Sequence, residues 1–445
     1  MEQYKRILLK EFDSKQKVIT ELINLEAILN LPKGTELYLS DIHGEFEAFD
    51  YILRTCAGNL NEKINDCFGE GLAKAEKDKL TLLIAYPQEV LNDDFLYPLK
   101  DKNWYGRIIQ NLFTLLAFVA AKYTRSKVRK ALPPQYTYIM EELLYTDRNL
   151  PDNNIYFETI QNYLIDLGEA NAFILALSKV IRQLIIDHLH IVGDIFDRGA
   201  AADKVMNELM AYHSVDIQWG NHDIIWMGAF FGSKECLLTL LRIAARYGYL
   251  YDIERAYGLN LRPLVLFAEK TYSENAKFKP NLGKRSDSYA PKEMLQLEKV
   301  HQALAIIQFK LESQLIQRRP EFDMAQNVTL DKIDYWEESF LVGGKKHFLA
   351  NTCFQTINPQ KPEELTDEEE EVVATLLDSF QHSLQLKGHI SFLMKFAILV
   401  KNYSTFLNTT SEKVLKIQTS KMTFQPTLSG IVGMANYLLC LARTR

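Results

Sequence analysis

The sequence predicts an α/β protein, and three observations carry that expectation. Three short strand patterns each run directly into a loop rich in Asp, His, Asn and Gly. Long stretches between and after them carry apolar residues at helical spacing. Turn-forming residues punctuate the passages that join the two kinds of text.

Taken in order, residues 1–31 read as a helix, with Ile19, Leu22, Ile23, Leu25 and Leu29 near a 3.6-residue period, stopped by Pro32 and Gly34. A strand over 36–39 leads into Ser40-Asp41-Ile42-His43-Gly44, and Phe46, Phe49, Ile52, Leu53 and Cys56 mark a helix ending near Gly58. Text from about 60 to 186 is mostly helical. A second strand, Leu189 to Val192, ends in Gly193-Asp194-Ile195-Phe196-Asp197-Arg198-Gly199. The third is expected to turn Val215, Ile217 and Trp219 inward before Gly220-Asn221-His222-Asp223. Helical text resumes from about 234 to 318, broken by a turn-rich stretch from Phe278 to Pro291. Short strands and turns are expected over 331–360, and the acidic run from Glu363 to Glu371 reads as the solvated start of a helix.

Composition narrows the function classes. With 51 Lys and Arg against 57 Asp and Glu, the formal charge of −6 argues against a nucleic-acid binder that works by neutralising phosphates. A phosphorylated metabolite remains compatible, because metals or local arginines can supply the positive charge. Five scattered cysteines without a CxxC pair read as reduced thiols filling a core. No signal peptide or membrane-spanning run is seen, so a cytoplasmic protein is expected. At 445 residues the chain has room for more than one compact unit, or for one core with a large insertion.

The chemistry gathers where the three strands end, because the carboxyl ends of strands in an α/β sheet meet along one edge. Asp41 and His43, two apart, can turn to one metal from a tight loop. Asp194, first off its strand, is the natural carboxylate to bridge two metals, and Asn221 offers a neutral oxygen to the second. His222 points away from Asn221 and can protonate a leaving alkoxide, with Asp197 placed to orient it. Arg198 can fork onto phosphate oxygens.

Asp-x-His, Gly-Asp-x-x-Asp-Arg-Gly and Gly-Asn-His-Asp in this order resemble the motifs of the calcineurin-like metallophosphoesterases. The wide helical interval between Asp41 and Asp194 resembles the class III fructose-1,6-bisphosphatases. So do Leu31 to Thr35, Lys122 to Lys127, His213 to Trp219, Tyr257 to Pro263 and Asn351 to Phe354. The resemblance runs to about residue 400. It implies an αββα sandwich with large helical insertions, a second sheet left incomplete in this chain, and two-metal hydrolysis of the 1-phosphate of fructose 1,6-bisphosphate in gluconeogenesis, with manganese. On that frame 1–57 begin the core, 58–186 form a helical insertion or cap, and 187–232 carry the second and third motifs. Residues 233–330 are helical, and 331–445 hold what remains of the core.

Lys122, Arg125 and Lys127 have two readings, as contacts for a doubly phosphorylated sugar or as part of a solvated helix face, and the second is the commoner fate of a charge run. The chain also departs from the family pattern. Two later metal-binding histidines, from His-Gly and Gly-His loops, have no counterpart; His389 follows Gly388 but stands in helical text and reads as a non-ligand. Familiar text stops near Tyr403, and 413–437 loosely resemble the far C-terminal strands of the family, as if a segment between had been removed. Two alternatives therefore stand beside the bisphosphatase: a metallophosphoesterase for another phosphorylated substrate, and a degenerate paralogue acting as a scaffold. An incomplete second sheet would leave apolar surface for self-association or a partner to cover.

Overall fold

The computed structural model describes residues 12–94, 96–146, 151–283, 289–322, 330–342, 344–349 and 355–396. The segment 351–354 and the tail 413–437, both named above, lie outside the described residues.

The fold class is α/β. Strands β1 (Glu36–Leu39), β2 (His188–Val192) and β3 (Val215–Gln218) form one sheet in the order β1-β2-β3. Strands β4 (Ile333–Asp334), β5 (Ser339–Val342) and β6 (Lys345–Phe348) form a small antiparallel meander, with Phe340 opposite His347. Helices make up most of the remainder. The expected inward alternation along the third strand holds only in part. Ile217 is buried, while Val215 and Trp219 are half-buried. The strand ends at Gln218 because a helix starts at Asn221, and Trp219 instead donates its indole N–H to the Leu393 carbonyl at 3.1 Å.

The described chain divides into two compact units. The first takes in residues 12–38, Glu47–His190 and His213–Val215. Its core forms where helix Lys102–Ala120 packs on helix Ala170–Ile185. The Asp101 side chain caps the former by accepting the Trp104 N–H at 2.8 Å. Ile109, Leu112, Phe113 and Leu116 then fall at i, i+3, i+4 and i+7 on one face and are fully buried. Phe113 meets Phe157 edge-on at 5.7 Å. Helix Lys15–Leu29 buries none of its residues and leaves Leu22, Ile23 and Leu29 exposed.

The second unit takes in Leu39–Phe46, Ile191–Tyr212 and 216–396 among the described residues. Its core lies between helices Lys234–Tyr247, Pro291–Arg318 and Asn221–Phe230. The acidic run departs from a purely solvated helix start. Asp367, Glu368 and Glu370 are exposed at the start of helix Asp367–His382, but Glu369 faces inward. Its carboxylate accepts the Thr366 N–H at 2.9 Å, the return half of a capping box, and pairs with Lys310 at 2.7 Å with both side chains fully buried. Lys310 Nζ also donates to the Thr356 carbonyl at 2.7 Å. Cys56 and Cys236 are core filler, and burial pushes their thiols up to about 12 and about 11. Among the described residues no helix is long and apolar enough to cross a membrane.

The buried pair generates a test. Lys310→Met strands an uncompensated carboxylate in the core and should destabilise the second unit by about 3–5 kcal/mol. Urea unfolding of the single variant, and of Lys310→Met combined with Glu369→Leu, checks this; the double variant should recover much of the loss.

Candidate active site

The three motif loops lie in the second unit and are packed backbone to backbone. Gly193, at φ +77°, is so close to the third motif that a Cβ added to it would lie 2.8 Å from the Gly220 Cα. Gly220 in turn has no room for a Cβ beside the Asp194 backbone. The first loop joins through the His43 N–H, which donates to the Asp194 carbonyl at 2.9 Å, and through Gly44, whose carbonyl accepts the Ala201 N–H at 3.2 Å. Four residues here, Asp41, His43, Asp194 and Arg198, hold φ between 46° and 56°. That left-handed conformation costs a non-glycine residue on the order of 1–3 kcal/mol, so contacts around these loops must hold it.

The main contact is Asp223, whose side chain is fully buried. Its Oδ2 accepts the N–H groups of Gly220 at 2.8 Å and Asp194 at 3.0 Å, while Oδ1 accepts those of Ile195 at 2.9 Å and Phe196 at 3.2 Å. Burial pushes this carboxyl above its usual range, and the amides of Gly220, Phe196 and Ile195 pull against that shift. Sequence reading quoted Asp223 within the third motif without giving it a task. The available signal was its place three residues after Gly220 at a helix start, where a carboxylate can return to the N-cap amide.

Onto this frame the loops bring most of the expected residues together. Asp41, His43 and Asp194 each offer one ligand atom, and the three atoms lie within 4.8 Å of one another. His43 Nε2 stands 3.5 Å from Asp41 and 3.6 Å from Asp197. Asp197 is buried; Oδ2 pairs with Arg198 Nε at 3.0 Å, and Oδ1, which has no hydrogen-bond partner among the described residues, stands 3.5 Å from His222 Nδ1. The His222 N–H donates to Asp194 Oδ1 at 3.3 Å. Asn221 is exposed at the first position of its helix. The motif loops thus bring together the carboxylates of Asp41, Asp194 and Asp197, and one nitrogen and two oxygens lie within 4.8 Å of one another. That donor set fits a divalent metal ion.

Lys122, Arg125 and Lys127 belong to the first unit. Lys122 Nζ bonds Thr35 Oγ1 at 3.1 Å, Arg125 lies over the Tyr145 ring at 4.6 Å, and Lys127 pairs with Asp187 at 2.5 Å. Arg318 and Arg319 pair with Glu235 and Glu321. His188 bonds Ser214 Oγ at 2.7 Å, and His190 stacks on Tyr38 at 4.2 Å. Trp226 is core, stacked on Phe196 at 4.6 Å.

All nine histidines fall within the described residues, so the later ones can be followed individually. His389 is buried, and both ring nitrogens are engaged: Nδ1 with the Tyr257 hydroxyl at 3.2 Å and Nε2 with Asn207 Oδ1 at 3.0 Å. His301 is buried with Nδ1 against the Phe278 carbonyl at 2.8 Å. His347 stacks on Phe340, and His382 pairs with Asp378 on its own helix.

Known proteins similar to this chain point to one family. A family model described as Firmicute fructose-1,6-bisphosphatase matches residues 3–409. A "Fructose-1,6-bisphosphatase class 3" from Streptococcus sanguinis is 65% identical over 407 residues, 92% of this chain and 63% of that protein. One of the same description from Staphylococcus epidermidis is 49% identical over 412 residues, 91% of this chain and 62% of that protein. The chain therefore spans a little under two thirds of the length of the relatives it matches. No solved structure matches.

Two outcomes follow from the site's supports. Asp223→Asn sets an amide N–H against backbone N–H groups and should weaken divalent-metal binding at the motif loops roughly 10–100-fold, read by calorimetric titration. Burial lowers the pKa of both His301 and His389. The unfolded chain, with histidines near about 6.5, then takes up protons before the native state does. Stability is full above about pH 6.5 and falls as pH drops toward the folded values, at up to about 1.4 kcal/mol per pH unit for each histidine. Urea unfolding of the native chain and of His389→Gln between pH 5 and 8 should show a shallower slope in the variant.

Proposed function

Because the chain belongs to the Firmicute fructose-1,6-bisphosphatase family, we propose that its motif loops hydrolyse the 1-phosphate of fructose 1,6-bisphosphate, a step of gluconeogenesis. The observation that carries this reading is the meeting of Asp41, His43 and Asp194 ligand atoms within 4.8 Å, beside the Asp197–His222 contact.

Asp41, His43 and Asp194 hold one divalent cation on this reading, Asp194 and Asn221 contribute to a second, and manganese is the expected metal. When bound, the metal supplies Lewis acidity toward phosphoryl oxygens and a water of lowered pKa. Arg198, whose guanidinium pairs with Asp197 through Nε, is the group that grips phosphate oxygens on this reading. His222 turns Nδ1 toward Asp197 at 3.5 Å, which leaves Nε2 to deliver a proton to the departing sugar oxygen. On the same reading β1, β2 and β3 belong to one sheet of a metallophosphoesterase-type αββα sandwich, and the helical segments are insertions.

One observation favours a second reading, a family member without turnover. The His301 and His389 rings are buried and hydrogen-bonded, so a second metal in this chain would lack histidine ligands from them.

Manganese calorimetry on the 445-residue chain, paired with phosphate release from fructose 1,6-bisphosphate, separates the readings. Two equivalents of metal, with turnover reduced at least 1,000-fold by Asp194→Asn, are expected for the enzyme (~4 kcal/mol of barrier). One weak equivalent without turnover would leave the scaffold reading.

A further inference from the structure

The basic run near residue 125 is not used up by the contacts above. Helix Arg125–Ala131 presents Lys127 and Lys130, three apart, to a cleft of about 750 Å³ in the first unit. The facing wall is helix Ala170–Ile185, which sends Ala172, Leu175, Ala176, Lys179, Val180 and Gln183 into the same cleft at helical spacing. Pro133 and Pro134 close one side, and no residue of the three phosphoesterase motifs lines it. The volume lies within the ordinary range for small-molecule sites.

Charge decides what such a cleft would hold. Three ammonium groups line it against one carboxylate, Asp187, which is already paired with Lys127 at 2.5 Å. Among the described residues no carboxylate stands within ion-pair distance of Lys130 or Lys179, although the neighbouring Arg129 has Glu141 at 3.6 Å. A chain of net charge −6 has thus gathered an excess of cations in one concavity. Leu132, Leu175 and Val180 make the floor apolar, and Gln183 adds an amide. An inorganic ion would leave that floor bare, whereas a small organic body covers it.

We propose that this cleft is a second anion site, binding a small organic phosphate through Lys130 and Lys179, with Lys127 held in position by Asp187.

The test is ³¹P NMR titration of glycerol 3-phosphate against the full chain in EDTA, which removes metal-dependent binding at the motif loops. One saturable site is expected, unchanged in Asp194→Asn and weakened at least tenfold in the double variant Lys130→Glu, Lys179→Glu. The milder pair Lys130→Gln, Lys179→Gln should fall between, and circular dichroism of each variant checks that the helices remain. Inorganic phosphate should bind more weakly than glycerol 3-phosphate. Saturable binding that survives both double variants with native circular dichroism, or no saturable binding by the native chain, would overturn the proposal. Loss of binding in Asp194→Asn would move the site to the motif loops and overturn it equally.

Discussion

Asp223 sends one oxygen to the amides of Gly220 and Asp194 and the other to those of Ile195 and Phe196. A fully buried carboxylate is costly in isolation, and only a near-complete set of donors makes it tolerable. Here the donors are the backbone of the second and third motif loops, so satisfying the charge and shaping the site are the same event. The bonds also fix where Asp194 begins, and Asp194 in turn receives the His43 and His222 N–H groups. Each side chain expected to meet metal or phosphate stands on backbone that this network locates.

The site built on that network is short of positive charge. Its loops carry the carboxylates of Asp41, Asp194 and Asp197 and one guanidinium, Arg198, and His43 and His222 each stand about 3.5 Å from a carboxylate. The cleft of the first unit has the opposite imbalance, three lysines to one aspartate. The modest net charge therefore conceals two local fields of opposite sign, one suited to cations and the other to anions.

Much of the site was legible because its chemistry sits in short motifs directly after strands, where spacing alone brings Asp41, His43 and Asp194 to one edge. The illegible parts depend on distant partners. Glu369 reads as one carboxylate among many in an acidic run, and only Lys310, far away in sequence, makes it a buried one. His389 reads as a stray histidine after a glycine; its fate is set by Tyr257 and Asn207, which local pattern does not connect to it. The inward turn expected of Trp219 failed in part because strand alternation was extended one residue beyond the strand.

A further consequence lies in how the loops can open. Four amides from two loops lean on a single carboxylate, so neither loop has a separate route to solvent. If the Asp223 contact lets go, all four exchange their hydrogens; while it holds, all four are protected. The local stability of the two loops is then one quantity shared between them, and the site opens as a unit.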